Sequence, residues 1–129
     1  MAGPEASQKG PPVVLLVDDE PLILESLGQE LSGVCKVYTA ASAAEADLRL
    51  AARHYDAIVC DHMLPGEQGL DFLVRAMEMI PSTRRILVTG YTNPEFITRS
   101  MSIAGLSACL VKPVRAAQIA AAVKAALAQ

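Results

Sequence analysis

Five short apolar runs punctuate this chain: VVLLV at 13–17, VCKVYT at 34–39, DAIVC at 56–60, RILVT at 85–89 and ACLV at 108–111. Between and after them lie stretches with helical spacing. Leu24, Leu27 and Leu31 share one face, as do Leu70, Leu73, Met77 and Ile80, and then Ile119, Val123 and Leu127. The short runs lack in–out alternation, which is what strands of a parallel sheet covered on both faces show. Strands alternating with helices can be parallel neighbours only if the helices cross over the sheet faces. The expected fold is therefore α/β and doubly wound, and the order taken for its five-stranded parallel sheet is 2-1-3-4-5.

Local signals agree with this reading. Pro21 suits a first helical turn after an acidic cap. Ser42 and Glu45 form an S-x-x-E capping box, and Asn93 before Pro94 reads as a cap followed by a starting proline. The segment MAGPEASQKGPP, residues 1–12, reads as a disordered leader, and 13–128 as one domain. With 129 residues, 52% hydrophobic and 19% charged, the chain can bury one core and is not an unfolded polymer.

Composition also excludes functions. A net charge of −3 argues against direct nucleic-acid binding, which calls for a basic stripe. Without an 18-residue apolar run or a signal-peptide pattern, no membrane partner is expected and a cytoplasmic location is. Cys35, Cys60 and Cys109 lack CxxC spacing and read as small buried hydrophobes. Arg84-Arg85 reads as a solvated strand start, His62 as a loop residue, and His54 as a helix-end residue without chemistry.

The polar residues fall where the strands end. Strand 1 ends in Asp18-Asp19, strand 3 in Asp61, strand 4 in Thr89 followed by Gly90, and strand 5 in Lys112 followed by Pro113. Those carboxyl ends share one edge, and ligands bind where the strand order reverses, between strands 1 and 3. Carboxylates about 5.5 Å apart at an effective dielectric near 20 repel by roughly 3 kcal/mol per pair. Such a load calls for a cation, protonation or Lys112. A hard divalent ion fits best, and Mg²⁺ needs only one or two carboxylates with water and a phosphate oxygen. Carboxylate, cation, lysine and hydroxyl together make a phosphoryl-handling set, with Asp61 as the nucleophile.

At this point the chain resembles the receiver domain of two-component response regulators. LLVDDEP, VCDHMLPGEQGLDFL, ILVTGYTN and LVKP match in order and spacing, covering about residues 13–128. The resemblance implies that Asp61 accepts a phosphoryl group from a sensor histidine kinase or phosphotransfer protein. It implies Mg²⁺ held by Asp19, Asp61 and the Met63 backbone carbonyl, with Asp18 acting through water. Lys112 would pair with phosphoryl oxygens, Thr89 would swing its hydroxyl onto them, and Lys112–Pro113 would be cis. Pro65 and Gly69 would shape the loop after Asp61. The chain would then be no enzyme beyond assisting its own phosphorylation and dephosphorylation. It would act through the surface of helix 4, strand 5 and helix 5, on an output partner the sequence does not specify or in a homodimer.

One departure from the family pattern matters. The aromatic usually found three residues before the lysine is Cys109 here, and Tyr91 is the candidate to cover the site instead. The positions two beyond Asp61 and Thr89 tend to set self-hydrolysis in the family; here they are Met63 and Tyr91, poor at orienting water, so the phosphorylated state should persist longer than in the fastest family members. Two alternatives stand beside this reading. One is a pseudo-receiver that docks but is never phosphorylated. The other is an aspartate-nucleophile phosphatase, for which a D-x-D at strand 1 would be expected where this chain has adjacent acids.

Overall fold

The computed structural model describes residues 10–129, so residues 1–9 of the expected leader lie outside the described residues. Pro12 is already tied down, its carbonyl accepting from the Lys36 amide at 2.8 Å. Five strands alternate with five helices: β1 (Val13–Val17), α1 (Pro21–Leu31), β2 (Lys36–Ala40), α2 (Ala43–Ala52), β3 (Ala57–Asp61), α3 (Gly69–Met79), β4 (Arg84–Thr89), α4 (Pro94–Ile103), β5 (Ala108–Val111) and α5 (Ala116–Leu127). The sheet is wholly parallel in the order β2-β1-β3-β4-β5. That is the expected doubly wound, flavodoxin-like fold.

The missing alternation now has its physical reason, because both sheet faces are buried. Leu15 and Val17 of β1 join Ile58, Cys60 and Leu87 against Phe72 and Leu73 of α3. Val14 and Leu16, pointing the other way, join Val59 and Ile86 against Leu27, Leu31, Ile119 and Val123 of α1 and α5. Each fully buried Leu, Ile or Phe contributes about 1.5–3 kcal/mol relative to exposure. Among the described residues, no helix is long and apolar enough to cross a membrane.

Several local expectations shift. Val34 and Cys35 belong to the turn after α1, the Cys35 amide donating to Leu31 O at 2.8 Å, so β2 starts later than the apolar run suggested. The Glu20 side chain makes no cap hydrogen bond to α1. At α2, Ser42 Oγ accepts from the Glu45 amide, but Glu45 reaches back to the amide of Ala41, one residue further than a capping box requires. Asn93 caps α4 as expected, its Oδ1 accepting from the Glu95 amide at 2.8 Å. His54 lies beyond the end of α2, and its Nε2 is 3.4 Å from Asp56 Oδ1. Cys35 and Cys60 are buried as expected, and Cys109 only half so.

Arg85 overturns the reading of a solvated pair. It is buried, and its guanidinium donates to the carbonyls of Ala104 (2.8 Å), Thr83 (2.6 Å), Pro81 (3.3 Å) and Gly105 (3.1 Å). A guanidinium has five donors. Four backbone acceptors, two of them just past α4, satisfy its polar head and fix that end of the helix to β4.

Candidate functional site

Register places the acids. Val17 of β1 pairs with Cys60 of β3, so Asp18 and Asp61, the next residues, end neighbouring strands. The Asp18 amide donates to Ala40 O at 3.0 Å, and its Oδ1 accepts from the Glu20 amide at 2.9 Å, which turns the chain into α1. One carboxylate oxygen from each of Asp18, Asp19 and Asp61 lies within 4.8 Å of the other two. Asp18 and Asp61 are buried, and Asp19 is open to solvent.

Lys112 enters from the far edge of the sheet. Its amide donates to Thr89 O at 2.7 Å, and the Lys112–Pro113 bond is cis, as the resemblance implied. Its Nζ stands 2.7 Å from Asp61 Oδ1, a charge-assisted contact between ammonium and carboxylate. The Asp61 side chain is only 5% exposed, so this contact is largely shielded from water. Beneath these groups a cavity of about 150 Å³ has Asp18, Glu20, Asp61 and Lys112 among its lining and apolar walls that include Leu24 and Ile119.

The electrostatics follow from this crowding. Two carboxylates 4.8 Å apart at an effective dielectric near 20 repel by about 3.5 kcal/mol. Burial, assisted by the charge of Asp61 and Glu20 and opposed by the Glu20 amide and Lys112, pushes the Asp18 carboxyl up from 3.8 to about 6. Burial pulls the Lys112 ammonium down, but the contact with Asp61 and the fields of Asp18 and Glu20 outweigh it and leave it raised. One lysine cannot neutralise three acids. A hard divalent cation fits this donor set of two buried carboxylates and an exposed third. The Met63 carbonyl, just after β3, accepts no hydrogen bond among the described residues.

The loop that follows β3 is held on both sides. The His62 amide donates to Val88 O at 2.9 Å, and its carbonyl accepts from Gly69 at 2.8 Å. Gly69 is where the backbones crowd: a Cβ there would stand 2.1 Å from the Asp61 carbonyl oxygen. Gly66 takes φ +86°, the left-handed turn that glycine tolerates. Arg75 forks onto Glu67 at 2.9 and 2.7 Å and reaches Asp47, tying the loop to α3 and α2. Nothing in local sequence spacing marks that link.

Thr89 ends β4 and is 1% exposed, its Oγ1 accepting from the Tyr91 amide at 3.0 Å. Tyr91 lies on the loop that follows β4. Its ring meets those of His62 (centroids 5.2 Å) and Phe96 (4.9 Å), and His62 meets Phe96 at 5.4 Å, all edge-on. His62 is a loop residue as expected, but a buried one, and burial lowers its imidazole pKa against the pull of Asp61 and Asp71. Phe96 and Ser100, which complete this second cluster, carried no sequence signal.

Comparison with known proteins agrees with this layout. Residues 14–124 match the family model described as response regulator receiver domain. The hydrogenase transcriptional regulatory protein HoxA of Cupriavidus necator is 36% identical over 78% of this chain and 21% of its own length. HoxA of Bradyrhizobium diazoefficiens is 32% identical over 88% and 24%. The chain thus spans about a fifth to a quarter of these curated relatives. Among solved structures, the signal receiver domain of an HD domain-containing protein from Pseudomonas fluorescens Pf-5 superposes with a TM-score of 0.83 at 32% identity, covering 92% of this chain and 96% of that one. A BeF3-activated DrrB receiver domain gives 0.81 at 25% identity, covering 93% and 100%.

Proposed function

We propose, on the premise that this chain belongs to the response regulator receiver domain family, that Asp61 carries a phosphoryl group and thereby switches a partner-binding surface. The observation that carries the reading is Asp61 itself, buried, with two further acids within 4.8 Å and the Lys112 ammonium at 2.7 Å.

Receiver domains generally bind Mg²⁺ at an acidic pocket and are not enzymes in their own right. Here Asp19, Asp61 and the Met63 carbonyl would hold the ion directly and Asp18 through water, and bound Mg²⁺ would supply charge neutralisation for the phosphoryl oxygens. The donor is a phosphohistidine on a sensor histidine kinase or a phosphotransfer protein. An Asp61 oxygen forms the bond to phosphorus as the phosphorus–nitrogen bond breaks, and that electron pair stays with the imidazole. Lys112 then leaves its contact with the free carboxylate for the phosphoryl oxygens, and the Thr89 hydroxyl turns to them. Both interactions exist only with the phosphoryl group in place, so they bias the β4–α4 region towards a second arrangement. The α4–β5–α5 surface passes this to an output partner or to a second copy of the chain. Met63 and Tyr91 leave the attacking water unoriented, so the phosphoryl group outlasts seconds.

Incubation with acetyl phosphate, read by intact mass, tests this. One phosphoryl group is expected with Mg²⁺, none with EDTA and none in Asp61→Asn. No labelling of the wild-type chain would make the domain an unphosphorylated docking module, and labelling of that variant would put the acceptor on another residue. Decay of the label within seconds would remove the argument from Met63 and Tyr91.

A further inference from the structure

The segment that supplies the Met63 carbonyl hangs from the fold by a single polar link. Among the described residues, no backbone N–H or C=O of residues 63–67 takes part in a hydrogen bond. The flanks are fixed, by the His62 amide on Val88 O and by the close approach of Gly69 to the Asp61 carbonyl. Leu64 packs half-buried against the core, but an apolar contact sets no direction for the carbonyl before it. Direction comes from Glu67, just after the Gly66 turn. Its carboxylate accepts from Arg75 Nε at 2.9 Å and from Nη2 at 2.7 Å, a bidentate fork. Arg75 is held in turn: its Nη2 donates to Asp47 of α2 at 3.2 Å, and its Cζ stands 5.5 Å from the centre of the buried Phe72 ring.

We propose that Arg75, acting through Glu67, is the positioning residue that makes this site prefer Mg²⁺ to Ca²⁺. The inference rests on the reading above, in which Asp19, Asp61 and the Met63 carbonyl take the cation. Arg75 and Glu67 are 40% and 32% exposed. A lone pair so exposed would contribute little, but a fork joined to a second acid and to an aromatic face is the exception.

The two ions ask different things of their ligands. Mg²⁺ demands a near-ideal octahedron of oxygens at about 2.0–2.1 Å, whereas Ca²⁺ accepts six to eight oxygens at about 2.3–2.6 Å in looser arrangements. Selection between them therefore depends on how firmly each oxygen is kept in place. Asp61 is set by strand register, and Asp19 lies in the turn between β1 and α1. The Met63 carbonyl has no such support and depends on the Glu67–Arg75 fork. Cut from it, the segment can move its carbonyl outward, which weakens the small ion and costs the large one little. Charge alone leaves a different signature. Arg75 is a cation and Glu67 an anion, so by field alone their removal shifts the affinity for both ions together, in opposite directions in the two variants, and leaves the ratio unchanged.

Titration calorimetry of the whole chain with MgCl₂ and with CaCl₂ tests this. The wild-type protein should bind Mg²⁺ the more tightly. Arg75→Ala and Glu67→Ala should each lower the ratio of Mg²⁺ to Ca²⁺ affinity by about fivefold, the scale of one well-formed ion pair. The double variant should fall no further than either single one. Arg75→Lys keeps the charge but not the fork, so its ratio should lie between. In metal-free protein, backbone order parameters at Met63 and Leu64 should drop in both alanine variants from about 0.85 to below about 0.6. A wild-type preference for Ca²⁺, ratios that stay fixed or move in opposite directions, additive losses, or order parameters that do not drop would overturn the inference about Arg75 alone. Failure of the wild-type protein to bind Mg²⁺, or equal binding by Asp61→Asn, would overturn the reading of the acid site beneath it.

Discussion

α3 buries Gly69, Phe72, Leu73 and Ala76, and α5 buries Ile119, Ala120, Val123 and Ala126, whereas α4 fully buries only Ser100, a polar residue. The acid notch is framed by α1, α3 and α5 and inherits its geometry from strand register. The β4–α4 side is held by a ring cluster at one end of the helix and by Arg85 at the other. Charges that must be placed to within an ångström stand on the rigid side. On the proposed function the helix with little apolar burial is the one that moves, and low apolar burial puts it towards the low-stability end of the structure.

The sharpest way to break this contrast is to strike the rigid side at its tightest point. Gly69→Ala puts a Cβ 2.1 Å from the Asp61 carbonyl oxygen and 2.9 Å from His62 Cα, and backbone cannot yield as a side chain can. A loss of about 4 kcal/mol or more is expected in urea unfolding, with loss of Mg²⁺ binding because the loop starts at Asp61 and carries Met63. A variant of near wild-type stability would show that the loop is softer than drawn.

A paired truncation compares the helices directly. Leu73→Ala empties a fully buried site in α3 and should cost about 3 kcal/mol. Ile97→Ala, at a half-buried position of α4, should cost about 1 kcal/mol. Equal losses, measured by urea midpoint at constant slope, would erase the distinction between the helices.

How much of this was legible follows the same division. The strand ends could be read because each acid, Thr89 and Lys112 directly follows its own apolar run, and parallel order then brings those ends to one edge. The acid cluster sits where the strand ends put it, and the cis bond where the family resemblance implied it. Arg85 could not be read: two adjacent arginines look solvated, and the carbonyls of Ala104 and Gly105 that receive one of them lie some 20 residues further on. The burial of His62 was hidden for the same reason, since Tyr91 and Phe96 come from beyond β4. Neighbour-dependent burial has no periodic signature, whereas placement by strand register does.

The acids themselves allow a pH test. In the folded, metal-free protein Asp18 titrates at about 6, against 3.8 ordinarily. A raised carboxyl binds its proton more tightly when folded, so its stabilising contribution is full below about pH 4 and is lost as pH rises through about 6. The scale is on the order of 2 kcal/mol. Mg²⁺ favours the ionised form, so it should raise the urea midpoint more at pH 7.5 than at pH 5. Asp18→Asn should remove most of the pH dependence without metal. A Mg²⁺ effect as large at pH 5 would mean that Asp18 is not under this strain.

The smallest effect is the most informative about α4. Asn93 caps the helix through Oδ1, and Asn93→Ala should cost that helix about 1 kcal/mol. If α4 opens as a unit of its own, the loss falls on local opening. Exchange of its amides, including Ile97, which bonds to Asn93 O at 3.1 Å, should then quicken by about fivefold. Amides of α3 and α5 should keep their rates, and the urea midpoint should scarcely move. The Arg85 end argues the same way, because its bonds to Ala104 and Gly105 survive such an opening and give the helix a fixed point to turn about. Exchange that quickened equally in all three helices would instead mean that α4 melts only with the whole domain, and a helix so bound could not carry the signal from Asp61.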